Sequence, residues 1–336
     1  MKPVISIVSP VYNEAEGLAE FTRQMIAVLE SQPLSFELIL VNDGSRDASF
    51  QIASTLTVDP RIRVVSFSRN FGHEAASTAG LRYARGDVTV LIDSDLQDPP
   101  PVILQMLDKW KEGFQIVYGQ RSTRAEETLL KKITSWMFYR LMRRMAKMDI
   151  PKDTGDFRLM DRRVVNAFNA LNERNRFVRG LVTWTGFKAT AVRFDRAPRF
   201  AGKTKYNYAK LIRLAMDSIT GFTTTPLKIA TWLGIFVACG AMIWTIVIVC
   251  QFFLIPNYRQ GGLTFLAAAT LLLGGVQIFL MGLLGEYLAR TYEEVQRRPI
   301  YIVDELVNFS DTIAIAGPNG GLIAEAPAPL TSAGGA

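Results

Sequence analysis

Through the first 120 residues, short apolar runs alternate with amphipathic stretches. Runs at 4–8, 36–41, 62–67, 88–92 and 115–118 are rich in β-branched or aromatic residues, which predicts strands. Between them, 14–30, 47–56, 73–84 and 101–112 carry helical patterns. This alternation predicts a mostly parallel sheet covered by helices. Ligands of such sheets bind at the carboxyl ends of the strands. The segments to inspect are therefore SPVYNE (9–14), VNDGS (41–45), SRNFG (68–72), DSDLQD (93–98) and GQRS (119–122), all polar in character and two of them acidic.

Further along, 229–255 holds 27 residues without a charge and 260–285 holds 26. At about 1.5 Å rise per residue, each outruns the roughly 30 Å hydrocarbon core of a bilayer. Spans at 229–254 and 262–285 are expected, forming a transmembrane hairpin over 226–290. Lys203, Lys205, Lys210, Arg213 and Lys228 lead into it, and Arg290, Arg297 and Arg298 follow it. The connection 256–259 carries only Arg259, so the positive-inside rule places both termini in the cytoplasm. Stretch 126–148 sets Leu130, Ile133, Met137, Leu141 and Met145 against a face of Lys131, Lys132, Arg140, Arg143, Arg144 and Lys147. That pattern suits a helix in the membrane interface beside anionic lipid, and 206–222 is a weaker second candidate. The expected organisation is a cytoplasmic α/β domain over 1–225, the hairpin, a cytoplasmic segment over 291–307, and a disordered tail over 308–336.

Composition narrows the chemistry. The two cysteines, Cys239 and Cys250, both lie in one apolar run, which argues against a disulfide framework or a thiolate zinc site. With one histidine, His73, there is no His cluster, so any metal is held mainly by oxygen, which suits Mg²⁺ or Mn²⁺. His73 lies in a loop-to-helix segment and reads as a helix-start or structural residue. The net charge of +7 fits an anionic partner.

The run 88–92 breaks into Asp93, Asp95 and Asp98 and then three prolines. Carboxylates at the mouth of a buried strand need a compensating positive charge. Asp93 and Asp95, one residue apart, can place oxygens on a hard divalent cation that also meets substrate phosphates. Asp98 reads instead as the cap of a helix led by Pro99, Pro100 and Pro101. Asp43, after the second strand, can accept hydrogen bonds from a base or a ribose. No dinucleotide-binding or P-loop glycine motif is present.

Taken in order, SPVYNE (9–14), VNDGSRD (41–47), SRNFGHEAA (68–76), DSDLQDPP (93–100), GQRS (119–122), GDFRLMDR (155–162) and RFAGKTKY (199–206) make the chain resemble the family 2 glycosyltransferases. Within them it is similar to the polyprenyl-phosphate branch, which includes dolichyl-phosphate mannose synthases and, closer to this chain, bacterial bactoprenol glucosyltransferases. The resemblance covers about residues 3–303, hairpin included. It implies an α/β fold, a Rossmann-like GT-A catalytic domain followed by interfacial helices and the two-helix transmembrane hairpin. It implies that Pro10, Tyr12, Glu14 and Asp43 surround the nucleotide, with Asp93 beside it. Asp93 and Asp95, with Gln97, would hold Mg²⁺ or Mn²⁺ on the donor diphosphate. Arg121 would lie near phosphate, and Arg199, Lys203 and Lys205 would meet the donor diphosphate or the lipid phosphate. Asp156 occupies the place of a catalytic carboxylate, as a base or a positioning group, with Asp153 a nearby rival.

The implied reaction is metal-dependent, inverting transfer of a hexose from a nucleotide sugar, UDP-glucose in first place, to polyprenyl phosphate at the cytoplasmic face of a bacterial inner membrane. Undecaprenyl phosphate is the expected acceptor. Nucleic acid is not an expected partner; membrane lipid is, and the resemblance makes a homo-tetramer plausible. One rival is a processive polysaccharide synthase, disfavoured because no Q-x-x-R-W motif occurs and two spans make a poor channel. The other is a non-catalytic membrane scaffold, disfavoured by the intact Asp93, Asp95 and Arg121.

Overall fold

The computed structural model describes residues 3–122, 154–171, 173–174, 176–195, 225–254 and 262–309. They fall into two compact units, one of Met1–Tyr206 with Arg298–Ala336, the other of Asn207–Arg297.

The first unit is an eight-stranded sheet. Its strands are β1 (Ile5–Val11), β2 (Phe36–Asn42), β3 (Ile62–Phe67), β4 (Val88–Leu91), β5 (Ile116–Arg121), β6 (Thr154–Asp161), β7 (Ala189–Phe194) and β8 (Val303–Val307), in the order β7-β5-β6-β4-β1-β2-β3-β8. Its helices are α1 (Leu18–Glu30), α2 (Ser49–Leu56), α3 (His73–Tyr83), α4 (Val102–Lys111), α5 (Arg162–Ala170) and α6 (Val178–Trp184). Every residue of β1, β2 and β3 is buried, as expected for parallel strands covered on both faces. Alternate side chains Ile5, Ile7, Leu38, Leu40, Val88 and Val90 join Phe21, Met25, Ile103 and Met106 of α1 and α4 in one core. On the opposite face, α3 lies close against β1 and β2. A Cβ at Gly80 would stand 2.1 Å from Val8 Cγ1, so only glycine allows this approach.

The sheet is mostly parallel, as expected, but mixed, with β6 and β8 running against the rest. Strands β3, β2, β1 and β4 are parallel, but β6 enters antiparallel between β4 and β5. The antiparallel β8 covers the edge of β3. No strand is predicted at 303–307 from the sequence, because VDELV has too few apolar residues to stand out; pairing with β3 decides its conformation. At the end of the sheet away from the strand carboxyl ends, buried Glu37 accepts hydrogen bonds from Ser6 Oγ, Arg63 and Arg85. The buried charge is thus paired and fully engaged.

The helix after Asp98 also differs from expectation. The α4 N-cap position is Pro101, and no side chain caps it. The prolines form a preceding turn, with Val102 N donating to Pro99 O at 3.1 Å, so the helix starts too late for Asp98 to cap it.

The second unit contains α7 (Thr225–Leu254), of 30 residues, and α8 (Gly262–Gln296), of 35. Counted over the described residues, no helix is long and apolar enough to cross a membrane. The stretches 126–148 and 206–222, the tail from 310, and Asp153, Arg199, Lys203 and Lys205 lie outside the described residues.

Candidate active site

The site residues line one edge of the sheet because of strand order and direction. Strands β5, β4, β1 and β2 end there, and antiparallel β6 begins there. Along that edge stand Arg121, Asp156, Asp93 with Asp95, Tyr12 with Glu14, and Asp43. The β4–β6 register pairs Val88 with Asp161 and Leu91 with Arg158. Continued two residues further, it sets Asp93 opposite Asp156.

The turn after β4 sorts its residues by alternation. Ser94, Leu96 and Asp98 are buried, while Asp93, Asp95 and Gln97 are half-buried and open toward the strand ends. Leu96 is anchored in the core although its φ is +58°, a conformation that side chains adopt reluctantly. Ser94 Oγ donates to Pro10 O at 3.0 Å, tying the turn to β1. Gln97 N donates to Asp95 Oδ1 at 3.1 Å. Pro10 therefore serves the site through its carbonyl, beneath the turn.

Loops after β1 and β2 are stitched together. Asn13 N donates to Ser45 Oγ, Glu14 N to Ser49 Oγ, and Arg46 N to Asn13 Oδ1, at 3.1, 2.9 and 2.8 Å. Tyr12 projects from this seam, 42% exposed. Asp43, expected at the nucleotide, also has structural work. Its buried carboxylate accepts from Asn70 Nδ2 at 2.8 Å, Phe71 N at 2.7 Å and Gly72 N at 3.0 Å, so it holds the loop that leads into α3. Gly44, with φ +61°, allows that loop to lie directly on it.

The loop delivers His73, whose place in the site its surroundings in sequence do not reveal. His73 Nε2 stands 3.2 Å from Asp156 Oδ2 and 3.7 Å from Asp93 Oδ1. Arg179, equally hidden in the sequence, makes a two-pronged bond to Asp156, Nε to Oδ1 at 2.7 Å and Nη2 to Oδ2 at 3.1 Å. Arg179 is itself placed by Glu74, whose Oε2 accepts from Val178 N at 2.9 Å at the start of α6. Buried Arg158 donates to the carbonyls of Asp156 and Gly155 and steadies the strand from behind. Arg121 reaches the same point: a Cβ at Gly155 would lie 3.0 Å from its Nη2.

The electrostatics follow. Burial works against a charged imidazole, yet the Asp156 hydrogen bond and the Asp93 charge raise His73 to about 9, so it is a cation at neutral pH. Burial would raise Asp156, but His73 and Arg179 overcome it and hold that carboxyl well below the usual range. Asp93 shifts the other way: burial pushes it up, the neighbouring charges of Asp156 and Asp95 add to this, and His73 and Arg179 offset only part. Burial and Asp156 likewise push Glu74 up to about 7.

Part of the positive charge that the carboxylates demand is thus supplied by the protein. The remainder is still wanted at Asp93, where a cation would relieve both carboxylate crowding and burial. Ligand atoms of His73, Asp93 and Asp156 lie within 4.8 Å of one another, so the residues fit a divalent ion once that ion displaces the proton from His73, which then ligates as neutral imidazole. The oxygen-rich set, with one imidazole, suits Mn²⁺ or Mg²⁺. This grouping shares Asp93 with the expected set of Asp93, Asp95 and Gln97; Asp95 is close enough to act on Asp93 through its charge.

Residues 6–168 match the family model described as glycosyl transferase family 2, and 225–291 match the GtrB C-terminal hairpin. The chain is 46% identical over 89% of its length to "Uncharacterized glycosyltransferase YkcC" of Bacillus subtilis (strain 168), covering 93% of that protein. It is 41% identical over 89% of its length to "Prophage bactoprenol glucosyl transferase homolog" of Escherichia coli (strain K12), covering 98% of it. It is 40% identical over the same share to "Bactoprenol glucosyl transferase" of Shigella phage SfV, covering 97% of it. The mixed α/β sheet, the row of carboxylates along its edge and these full-length likenesses agree: the chain is a glycosyltransferase and belongs to glycosyl transferase family 2.

Proposed function

We propose that the protein transfers a single hexose from a nucleotide sugar, UDP-glucose in first place, to polyprenyl phosphate, with inversion at the anomeric carbon. Relatives named as bactoprenol glucosyl transferases, aligned over nearly their whole length, support the acceptor and the sugar. The observation that carries the chemistry is Asp93 opposite Asp156, with His73 and Arg179 between and beside them.

The acceptor needs little help to react. A phosphate monoester has a second pKa of about 6 and is largely dianionic at neutral pH. Asp156, held ionised by two cations, is a poor proton acceptor, which supports a positioning role rather than a base. Asp93 and Asp95, with His73 and Asp156 beside them, would hold Mg²⁺ or Mn²⁺. When bound, that ion stabilises the charge developing on the departing nucleoside diphosphate. Arg121, beside Gly155, is placed to add to that stabilisation, and the same chemistry suits Arg199, Lys203 and Lys205.

The hairpin reading belongs to this proposal. Support comes from the sequence, where 229–255 and 260–285 run without a charge. The matched hairpin family covers the same residues. Chain connectivity adds a further point: the chain leaves the catalytic unit before α7 and rejoins it as β8 after α8. An excursion that starts and ends in one folded unit crosses a bilayer an even number of times. Two spans with both ends in the cytoplasm, at the inner membrane, satisfy this and put the site on the side that holds nucleotide sugars.

Incubating full-length protein with labelled nucleotide sugars, undecaprenyl phosphate and Mg²⁺ tests the reading. Label should pass into lipid from one hexose donor. Label in long polymer would favour a processive synthase, and none from any donor would favour a scaffold.

A further inference from the structure

After α8 the chain returns to the sheet edge, and its first buried residue there is Tyr301, 5% exposed. Its ring stacks on Phe67, the last residue of β3, with centroids 4.9 Å apart and planes 11° apart. Phe67 in turn meets Phe71 edge to face at 5.8 Å and 89°. Phe71 is the residue whose N–H donates to Asp43 Oδ1 at 2.7 Å, two places before His73. A backbone bond fixes the contact further: Ser68 N donates to Ile302 O at 3.1 Å, and the charge of Arg82, in the last turn of α3, bears on the Tyr301 hydroxyl.

Residues 68–72 have no regular secondary structure. Their conformation is therefore imposed by neighbours, from one side by Asp43 and from the other by the strand that follows the hairpin. The α3 segment is thus coupled to Tyr301 before its start, through Phe71 and Phe67 in series, and near its end, through the charge of Arg82. Such offset and edge-to-face ring contacts are directional, unlike simple apolar packing.

We propose that Tyr301 is a positioning residue for the active site: through Phe67 and Phe71 it sets the loop that carries His73 to Asp93 and Asp156. Only residues 297–300 separate it from the end of α8, so this clamp is covalently continuous with the hairpin. The kinetic consequence rests on the glycosyl-transfer reading; the structural consequence does not.

Amide hydrogen exchange on the full-length protein in lipid nanodiscs tests it, comparing Tyr301→Leu, Tyr301→Phe and the control Ile302→Ala at a neighbouring exposed position. In Tyr301→Leu, which keeps bulk but loses the stack, the Phe71 and Gly72 amides should exchange about tenfold faster while β1 and β2 amides stay protected. Tyr301→Phe should restore protection of the Phe71 and Gly72 amides. Turnover of the Leu variant should fall about tenfold with the KM for polyprenyl phosphate within about twofold. Unchanged protection of Phe71 and Gly72 in Tyr301→Leu overturns the proposal. So does faster exchange spread evenly through the sheet, or an equal effect from Ile302→Ala. A wild type without transferase activity refutes the glycosyl-transfer reading instead, and the exchange result still decides the role of Tyr301.

Discussion

Arg179 grips Asp156 with both prongs of its guanidinium, at 2.7 and 3.1 Å, although the two residues come from different elements, α6 and β6. The pair explains how a carboxylate can remain ionised at a buried strand end. Lysine cannot reproduce the two-pronged bond. Arg179→Lys should therefore fold but lose about tenfold or more in turnover, as expected when a reacting group is misplaced by a fraction of an ångström. Steady-state rates with matched thermal melts check this; unaltered kcat would remove Arg179 from the site.

Metal-free protein should show a particular pH dependence. His73 has a folded pKa of about 9 against an ordinary 6.5, so its imidazolium favours the folded state. That contribution is fully present below about pH 6.5 and disappears as pH rises through about 9. Melting temperatures in chelator should decline across that window, and His73→Gln should flatten the decline. Equal slopes in both proteins would mean that His73 is not held by Asp93 and Asp156.

Asp95→Ala should lower transfer by about a hundredfold or more, the scale of losing an electrostatic stabiliser, while the protein stays folded. Its Mn²⁺ affinity, read by calorimetry without any sugar, should fall as well. Near-normal transfer would exclude Asp95 from the metal set and leave His73, Asp93 and Asp156 as the ligands.

Two glycines should respond differently. At Gly44 a Cβ would stand 2.3 Å from the Arg69 carbonyl carbon, in backbone with φ +61°. Because that neighbour is backbone, Gly44→Ala should destabilise by about 3 kcal/mol or more. At Gly155 the Cβ would meet the tip of the Arg121 side chain at 3.0 Å, which can swing aside. Gly155→Ala should cost under about 1 kcal/mol in denaturant melts yet reduce turnover, because Arg121 is displaced. A normal rate would show that Arg121 does not act from that position.

Much of the fold was readable because its signals are local. The apolar runs at 36–41 and 62–67 carry enough β-branched residues to reveal β2 and β3, and the helical patterns between strands gave α1 to α4, with the starts of α1 and α2 set four and two residues too early. Strands β6, β7 and β8 escaped because their conformation is settled by partners distant in sequence: β4 and β5 for β6, β5 for β7, and β3 for β8. The site divided in the same way. Asp93 and Asp95 stand out beside a buried strand, whereas His73 and Arg179 acquire their meaning only when α3 and α6 bring them to Asp156. Asp43 was visible as a strand-end carboxylate, but its bonds to Phe71 and Gly72 depend on how the next strand's loop folds back.

The central claim is tested most directly by the structure of the lipid product. Full-length protein in membranes, given UDP-glucose, undecaprenyl phosphate and Mg²⁺, should yield a lipid phosphate bearing one hexose, with a β linkage by NMR. An α-linked product would contradict inversion, and the absence of a lipid-linked hexose from every nucleotide sugar supplied would contradict the assignment itself.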